Sequence, residues 1–230
     1  MIKKLINSCL YLLNLKIIDH TYFTNSQRLL KKYNFVRYLD VSKTINKDKI
    51  INIAHLSEAE NSQDLMVLDQ LNFKKKGFFV EFGAGDGQKF SNTYLLEKHF
   101  SWDGIIAEPC KYFHKKISEN RNCIIDFRAI TNVTGQNVDF IELGNKHYSK
   151  IKNNFYDKKS YTVKTTSLMD LLKYHKCPKK FDYLSIDAEG KEEEIINSLD
   201  FNKYKPSIIS IEHNYKNKKK KSIFDILKRN

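Results

Sequence analysis

The sequence predicts one α/β domain, a mostly parallel sheet with helices on both faces, preceded by a helical extension. Two observations predict it. From Gly77 onward, apolar runs of strand length alternate with stretches of helical periodicity, and the first run ends in a turn with three closely spaced glycines. Strand, helix, strand alternation requires parallel pairing through right-handed crossovers. At 230 residues the chain is long enough for one full hydrophobic core, and 41% hydrophobic with 13% aromatic residues is a globular composition.

Residues 1–60 contain neither glycine nor proline and read as a helical N-terminal extension, with the domain at 61–230. Ile2, Ile6, Cys9, Leu13 and Ile17 recur at helical spacing, an amphipathic helix that docks on the domain, with peripheral contact to a membrane surface as the alternative. Polar residues interrupt the apolar run, so it is neither a signal peptide nor a membrane span. "SQDLMVLDQLNF" is a helix with Ser62 or Asp64 as its N-cap. "GFFVEFGA", "DGIIAEP" and "CIIDFRAI" follow as strands, separated by helices at "NTYLLEKHF" and "YFHKKISEN". "NVDFIEL" and "SYTVKTT" alternate like antiparallel strands around a polar insertion, Gly144 to Lys159. Helix "SLMDLLKYH", strand "FDYLSID", helix "EEEIINSL" and strand "PSIISIEH" resume the alternation, and a basic turn and short helix end the chain.

Forty Lys and Arg against 27 Asp and Glu give a formal charge of +13, compatible with nucleic acid, an anionic membrane or acidic substrates. The lysines are scattered among asparagine and isoleucine, as biased genomes also produce, and the run Lys218–Lys221 reads as a solvated turn. Cys9, Cys110, Cys123 and Cys177 show no zinc or disulfide spacing, which places the chain in a reducing, cytoplasmic compartment.

In an open α/β sheet, ligands bind beyond the carboxyl ends of the strands, where the glycine turn lies. Gly83 and Gly85 let backbone approach a ligand closely. A dinucleotide fingerprint wants a third glycine where Gln88 stands, and Glu81 and Asp86 would repel a pyrophosphate. The same acids suit a cationic ligand. S-adenosylmethionine, with its positive sulfonium and amino groups, meets that demand, and Glu108 at the end of the second strand supplies a carboxylate for ribose hydroxyls.

Taken with "SNT", "FRAI", "LSIDAEG" and "ISIEHN", the segment from Ser62 onward resembles the FkbM family of S-adenosylmethionine-dependent methyltransferases. The resemblance implies a Rossmann-like class I methyltransferase sheet and O-methylation, often of sugar hydroxyls in polysaccharides, glycolipids or related glycans. By the same resemblance Glu81, Gly83, Gly85, Asp86 and Glu108 hold the cofactor, Asn92 and Thr93 help close its pocket, and Asp126 and Ala129 lie near the adenine. Family members usually continue into a final antiparallel strand pair; this sequence stops at Asn230, so a truncated member, a fragment, or a sheet completed by another chain, as in a homo-oligomer, is expected.

A sugar hydroxyl is a poor nucleophile at neutral pH, so methyl transfer needs a base or a metal beside the acceptor. Asp187 and Glu189 follow one core strand and Glu212 and His213 end the next, which brings them to one mouth. Asp187, Glu212 and His213 form a candidate site for Mg²⁺ or Mn²⁺, and His213 alone is a candidate base. Asp187 also suits the cofactor's amino group, and Glu189 a helix start. His147, Tyr148 and Tyr156 in the insertion suit sugar stacking, while His20, His55, His99, His114, His175 and Trp102 read as structural. Two rivals remain: a nucleic-acid methyltransferase, which "DAEG" disfavours because base-methylating enzymes carry a proline-aromatic motif there, and a non-catalytic short domain.

Overall fold

The computed structural model describes residues 38–39, 44–143, 149–151, 160–214 and 216–230. The predicted N-terminal amphipathic helix and His20, His147, Tyr148 and Tyr156 lie outside the described residues. The chain forms two compact units, Met1–Ile45 and Asn46–Asn230, and the second carries all the elements below.

In chain order that unit runs α1 (Lys47–Ile53), α2 (Gln63–Gln70), β1 (Phe78–Phe82), α3 (Tyr94–Phe100), β2 (Asp103–Ala107), α4 (His114–Asn120), β3 (Ile124–Asp126), β4 (Ala129–Thr131), β5 (Asn137–Ile141), β6 (Lys150–Ile151), β7 (Ser160–Ser167), α5 (Leu168–Tyr174), β8 (Lys180–Ile186), α6 (Glu192–Asn197), β9 (Lys205–Ile211) and α7 (Asn217–Arg229). A five-stranded sheet, in the order β3-β2-β1-β8-β9, is parallel throughout. The chain is a mixed α/β protein with a parallel sheet and flanking helices.

Alternation along the strands sorts residues to two faces. Val80, Phe82, Leu184 and Ile186 turn one way and pack with Leu168, Leu171 and Leu172 of α5, Ile195 and Ile196 of α6 and Ile226 of α7. Phe79 and Glu81 turn the other way, toward Arg121 and the residues that open α3. Trp102 is core, as expected, and its indole N–H donates to the Lys74 carbonyl at 2.8 Å.

Three local expectations are corrected. "CIIDFRAI" is two strands, not one: Phe127 and Arg128 break it, the Arg128 guanidinium folds back onto Asp126, and β4 leaves for a second sheet of order β4-β7-β5-β6. There β7 pairs antiparallel with β5, as its alternation predicts, and parallel with β4. Neither Ser62 nor Asp64 caps α2. Ser62 has a left-handed φ of 60° and no capping bond, while Asp64 accepts from the Ser57 hydroxyl and the Leu65 N–H. Lys218–Lys221 lie within α7, not in a solvated turn, because Ile223 and Ile226 anchor that helix to the domain. No helix among the described residues is long and apolar enough to cross a membrane.

Gly104 shows how closely these layers fit: a Cβ there would lie 2.3 Å from the Phe79 ring and 2.5 Å from the Phe79 carbonyl oxygen. Gly104→Ala is expected to destabilise the domain by about 1–3 kcal/mol, the range for overpacking, read as a lowered urea midpoint at unchanged m-value.

Candidate functional site

The glycine turn is built by the strands beneath it. Gly83 donates to the Ala107 carbonyl at 3.2 Å and takes φ +77°, and a Cβ there would lie 2.2 Å from the Asp187 carbonyl oxygen. Only glycine allows β1 and β8 to close that tightly. Asp86 holds the turn itself. Its Oδ1 accepts from the Gln88 and Lys89 N–H groups at 3.0 and 2.8 Å, which fixes the turn.

Glu81 is buried in the sheet, and the side chains around it answer its charge. It accepts from the Ser91 hydroxyl at 2.9 Å, the Asn92 N–H at 2.6 Å and the Thr93 hydroxyl at 2.5 Å. Arg121, fully buried, stands 3.7 Å away. The same guanidinium donates to Glu97 at 2.6 Å, to the Gly87 carbonyl at 3.0 Å and to Ser91 and Thr93 at 2.9 and 2.8 Å. One arginine thus ties together β1, the glycine turn and the "SNT" segment. Burial pushes Glu97 up, but Arg121 and the Asn122 N–H outweigh it and hold the carboxyl below its ordinary value.

Beyond the strand ends lies a crevice with about 610 Å³ of empty space, partly open to solvent. Gly83, Gly85, Glu108, Asp187 and Glu189 border it, and Pro109, Phe113, Ala129, Phe140 and Ile151 give it an apolar wall contributed largely by the second sheet. Glu108 is the best-held group there: Gly85 donates to Oε2 at 2.9 Å and Cys110 to Oε1 at 2.8 Å. Burial nevertheless raises its pKa to about 7, those two N–H groups offsetting part of the effect. Each oxygen keeps lone-pair capacity for another donor.

A second acidic group closes the opposite side. Ligand oxygens of Asp187, Glu192 and Glu212 lie within 4.8 Å of one another. Burial, then the charges of Glu212 and Glu189, push Asp187 up to about 9; burial raises Glu189 to about 7 and Glu212 in the same direction. Burial and the neighbouring carboxylates thus favour a proton on this pair near neutrality. Asp187 Oδ1 and Glu212 Oε2 are buried without a hydrogen-bond partner. Glu192 is held by the Ala188 and Gly190 N–H groups at 3.2 and 3.0 Å and by Lys219 of α7 at 2.5 Å.

Of the residues predicted from sequence, Gly83, Gly85, Glu108, Ala129, Asp187 and Glu189 meet at the crevice. Glu81, Asp86, Asn92, Thr93 and Asp126 do not line it, and neither do Glu212 and His213. Asn92 instead donates to Ser185 at 2.9 Å, and Asp126 binds Arg128 and His175, the latter at 2.8 Å. Glu192 takes the place predicted for His213 in the convergent group. Arg121, Glu97, Glu192 and Lys219 carry no motif in the sequence; only the run of acids after "DAEG" hints at Glu192.

A family profile described as "Methyltransferase FkbM domain" matches residues 81–229. No curated protein and no solved structure matches the chain.

Arg121→Met leaves Glu81 and Glu97 buried without their cation, and should cost about 3–5 kcal/mol, the range for breaking a buried pair from one side. Denaturant titration at pH 7 checks it. Because Glu97 is depressed in the folded state, the wild-type advantage should shrink as the pH falls below the ordinary carboxylate pKa.

Proposed function

We propose that this chain, which belongs to the FkbM methyltransferase family, is an S-adenosylmethionine-dependent O-methyltransferase with the Rossmann-like class I arrangement, acting on a sugar hydroxyl of a polysaccharide, glycolipid or related glycan. The observation that carries the cofactor assignment is Glu108, fixed by two backbone N–H groups at the end of β2 beside bare glycine backbone and an apolar wall. A nucleoside asks for that combination: a carboxylate for the ribose diol, an apolar slot for the base and no side chain in between. The acids at Asp187 and Glu189 suit the cofactor's positive end.

Bound there, S-adenosylmethionine would supply an electrophilic methyl group for in-line displacement. The protein's part is to align the acceptor and remove its proton. The Asp187–Glu212 pair stands at the mouth, and its buried oxygens can receive the hydroxyl proton; His213, at the end of β9, is the neighbouring base. Asp187, Glu192 and Glu212 would hold Mg²⁺ or Mn²⁺, an all-oxygen donor set in which Asp187 Oδ1 and Glu212 Oε2 are buried without partners. Such an ion would supply acidification of the acceptor hydroxyl. The sugar assignment rests on the family resemblance.

Glu108 gives the cofactor reading a pH signature. With its pKa near 7 in the free protein, binding a diol that donates to the carboxylate must release a proton below that pH. Affinity for S-adenosylhomocysteine should therefore rise with pH between 5 and 7, by up to about tenfold per unit, and level off above. Calorimetry in buffers of different ionisation enthalpy reads the released proton, and Glu108→Gln should bind weakly with a flat profile. A wild-type profile as flat as that of the variant would remove Glu108 from the site.

For the metal, methyl transfer by the purified enzyme should fall on EDTA treatment and return with Mg²⁺ or Mn²⁺. Glu192→Gln should shift the metal concentration for half-maximal activity upward by at least about tenfold, as for a lost carboxylate ligand. Activity indifferent to EDTA would leave the acids as proton acceptors alone.

A further inference from the structure

The lysines that look scattered in the sequence converge in the fold. Because β1, β8 and β9 are parallel, their first residues share one end of the sheet, opposite the crevice. Lys75 and Lys76 precede β1, Lys179 and Lys180 open β8, and Lys205 opens β9. Register sets Lys180 beside Lys205, whose N–H donates to the Lys179 carbonyl at 2.7 Å. Helix α7 returns to the same end, where Arg229 and Lys205 border a polar depression.

All six side chains are exposed, and none of the five lysines has an ion pair among the described residues. The acids nearest in the chain are partly spoken for: Asp182 pairs with Lys74 at 2.6 Å and Asp200 with Lys203 at 3.3 Å, which leaves Asp103 at the start of β2 and Asp225 one turn before Arg229 on α7. The result is a predominantly basic face, about 20 Å from the crevice at 3.3 Å per strand residue.

We propose that this end of the sheet docks on an anionic phospholipid surface. The charge is smeared over lysine ammoniums on separate elements, with one arginine. Single-stranded nucleic acid asks for a groove with stacking rings between its basic groups. An anionic bilayer asks only for several Lys or Arg within a Debye length of its surface. Docked this way, the chain turns its crevice away from the membrane.

The test is co-sedimentation of the full chain with phosphatidylcholine vesicles with and without phosphatidylglycerol. Binding should require phosphatidylglycerol, weaken as salt is raised, and drop by at least about tenfold in a K179E/K180E/K205E variant whose circular dichroism and melting temperature match wild type. A K75E/K76E variant should weaken it in the same direction, and serves if the triple variant misfolds. Equal binding to neutral vesicles, no binding at low salt, or variants that sediment like wild type would overturn the proposal. Tighter capture of a duplex oligonucleotide by the same lysines would overturn it in favour of nucleic acid.

Discussion

A carboxylate inside a sheet must be answered by buried donors, and the order of this site depends on how Glu81 is answered. Arg121 is the cation, and Ser91, Asn92 and Thr93 supply the hydrogen bonds. Since Arg121 also grips the Gly87 carbonyl and Glu97, the glycine turn cannot shift without exposing buried charge. The bare backbone at Gly83 and Gly85 is therefore held by a network on the face of the sheet turned away from α5, α6 and α7. Preorganisation of this kind lets two N–H groups meet Glu108 with no rearrangement left for a ligand to impose.

The parallel sheet separates the chain's charges along its strands. At the carboxyl ends stand Glu108, Asp187, Glu189, Glu192 and Glu212; at the amino ends stand the lysines that open β8 and β9. The acidic end is mostly desolvated, which raises several of its pKa values and makes a cation or a hydroxyl donor welcome there. The basic end is solvated, so its charge acts outward. Two lysines do stand at the acidic end: Lys150 lines the crevice and opposes the rise of Glu189, and Lys219, 11% exposed, reaches in from α7 and helps hold Glu192 in place.

Much of this was legible in the sequence, for reasons that also mark where legibility stopped. The α/β alternation and the glycine turn located the crevice, and strand ends located Glu108 and Asp187, because a parallel sheet collects such positions at one edge. Which acids face the crevice was harder. Glu81 shares a face with Phe79, while Val80 and Phe82 face the apolar cluster, so pleat parity placed its carboxylate with Arg121 rather than in the crevice. Arg121 lies forty positions from Glu81, and pairings of that range have no local signature. Glu192 was hidden because its reach back to the Ala188 and Gly190 N–H groups depends on left-handed backbone at Glu189 and Gly190. The break between β3 and β4 went unseen because no glycine or proline marks it; the Arg128–Asp126 pair does.

The central claim is that the crevice holds the adenosyl portion of a methyl donor with Glu108 on its ribose. A crystal structure of the chain with S-adenosylhomocysteine tests that most directly. Both ribose hydroxyls should donate to Glu108, with the base against Phe113, Ala129 and Phe140 and the Gly83–Gly85 backbone along the ligand. A ligand seated elsewhere, or one that leaves Glu108 bonded only to Gly85 and Cys110, would contradict it.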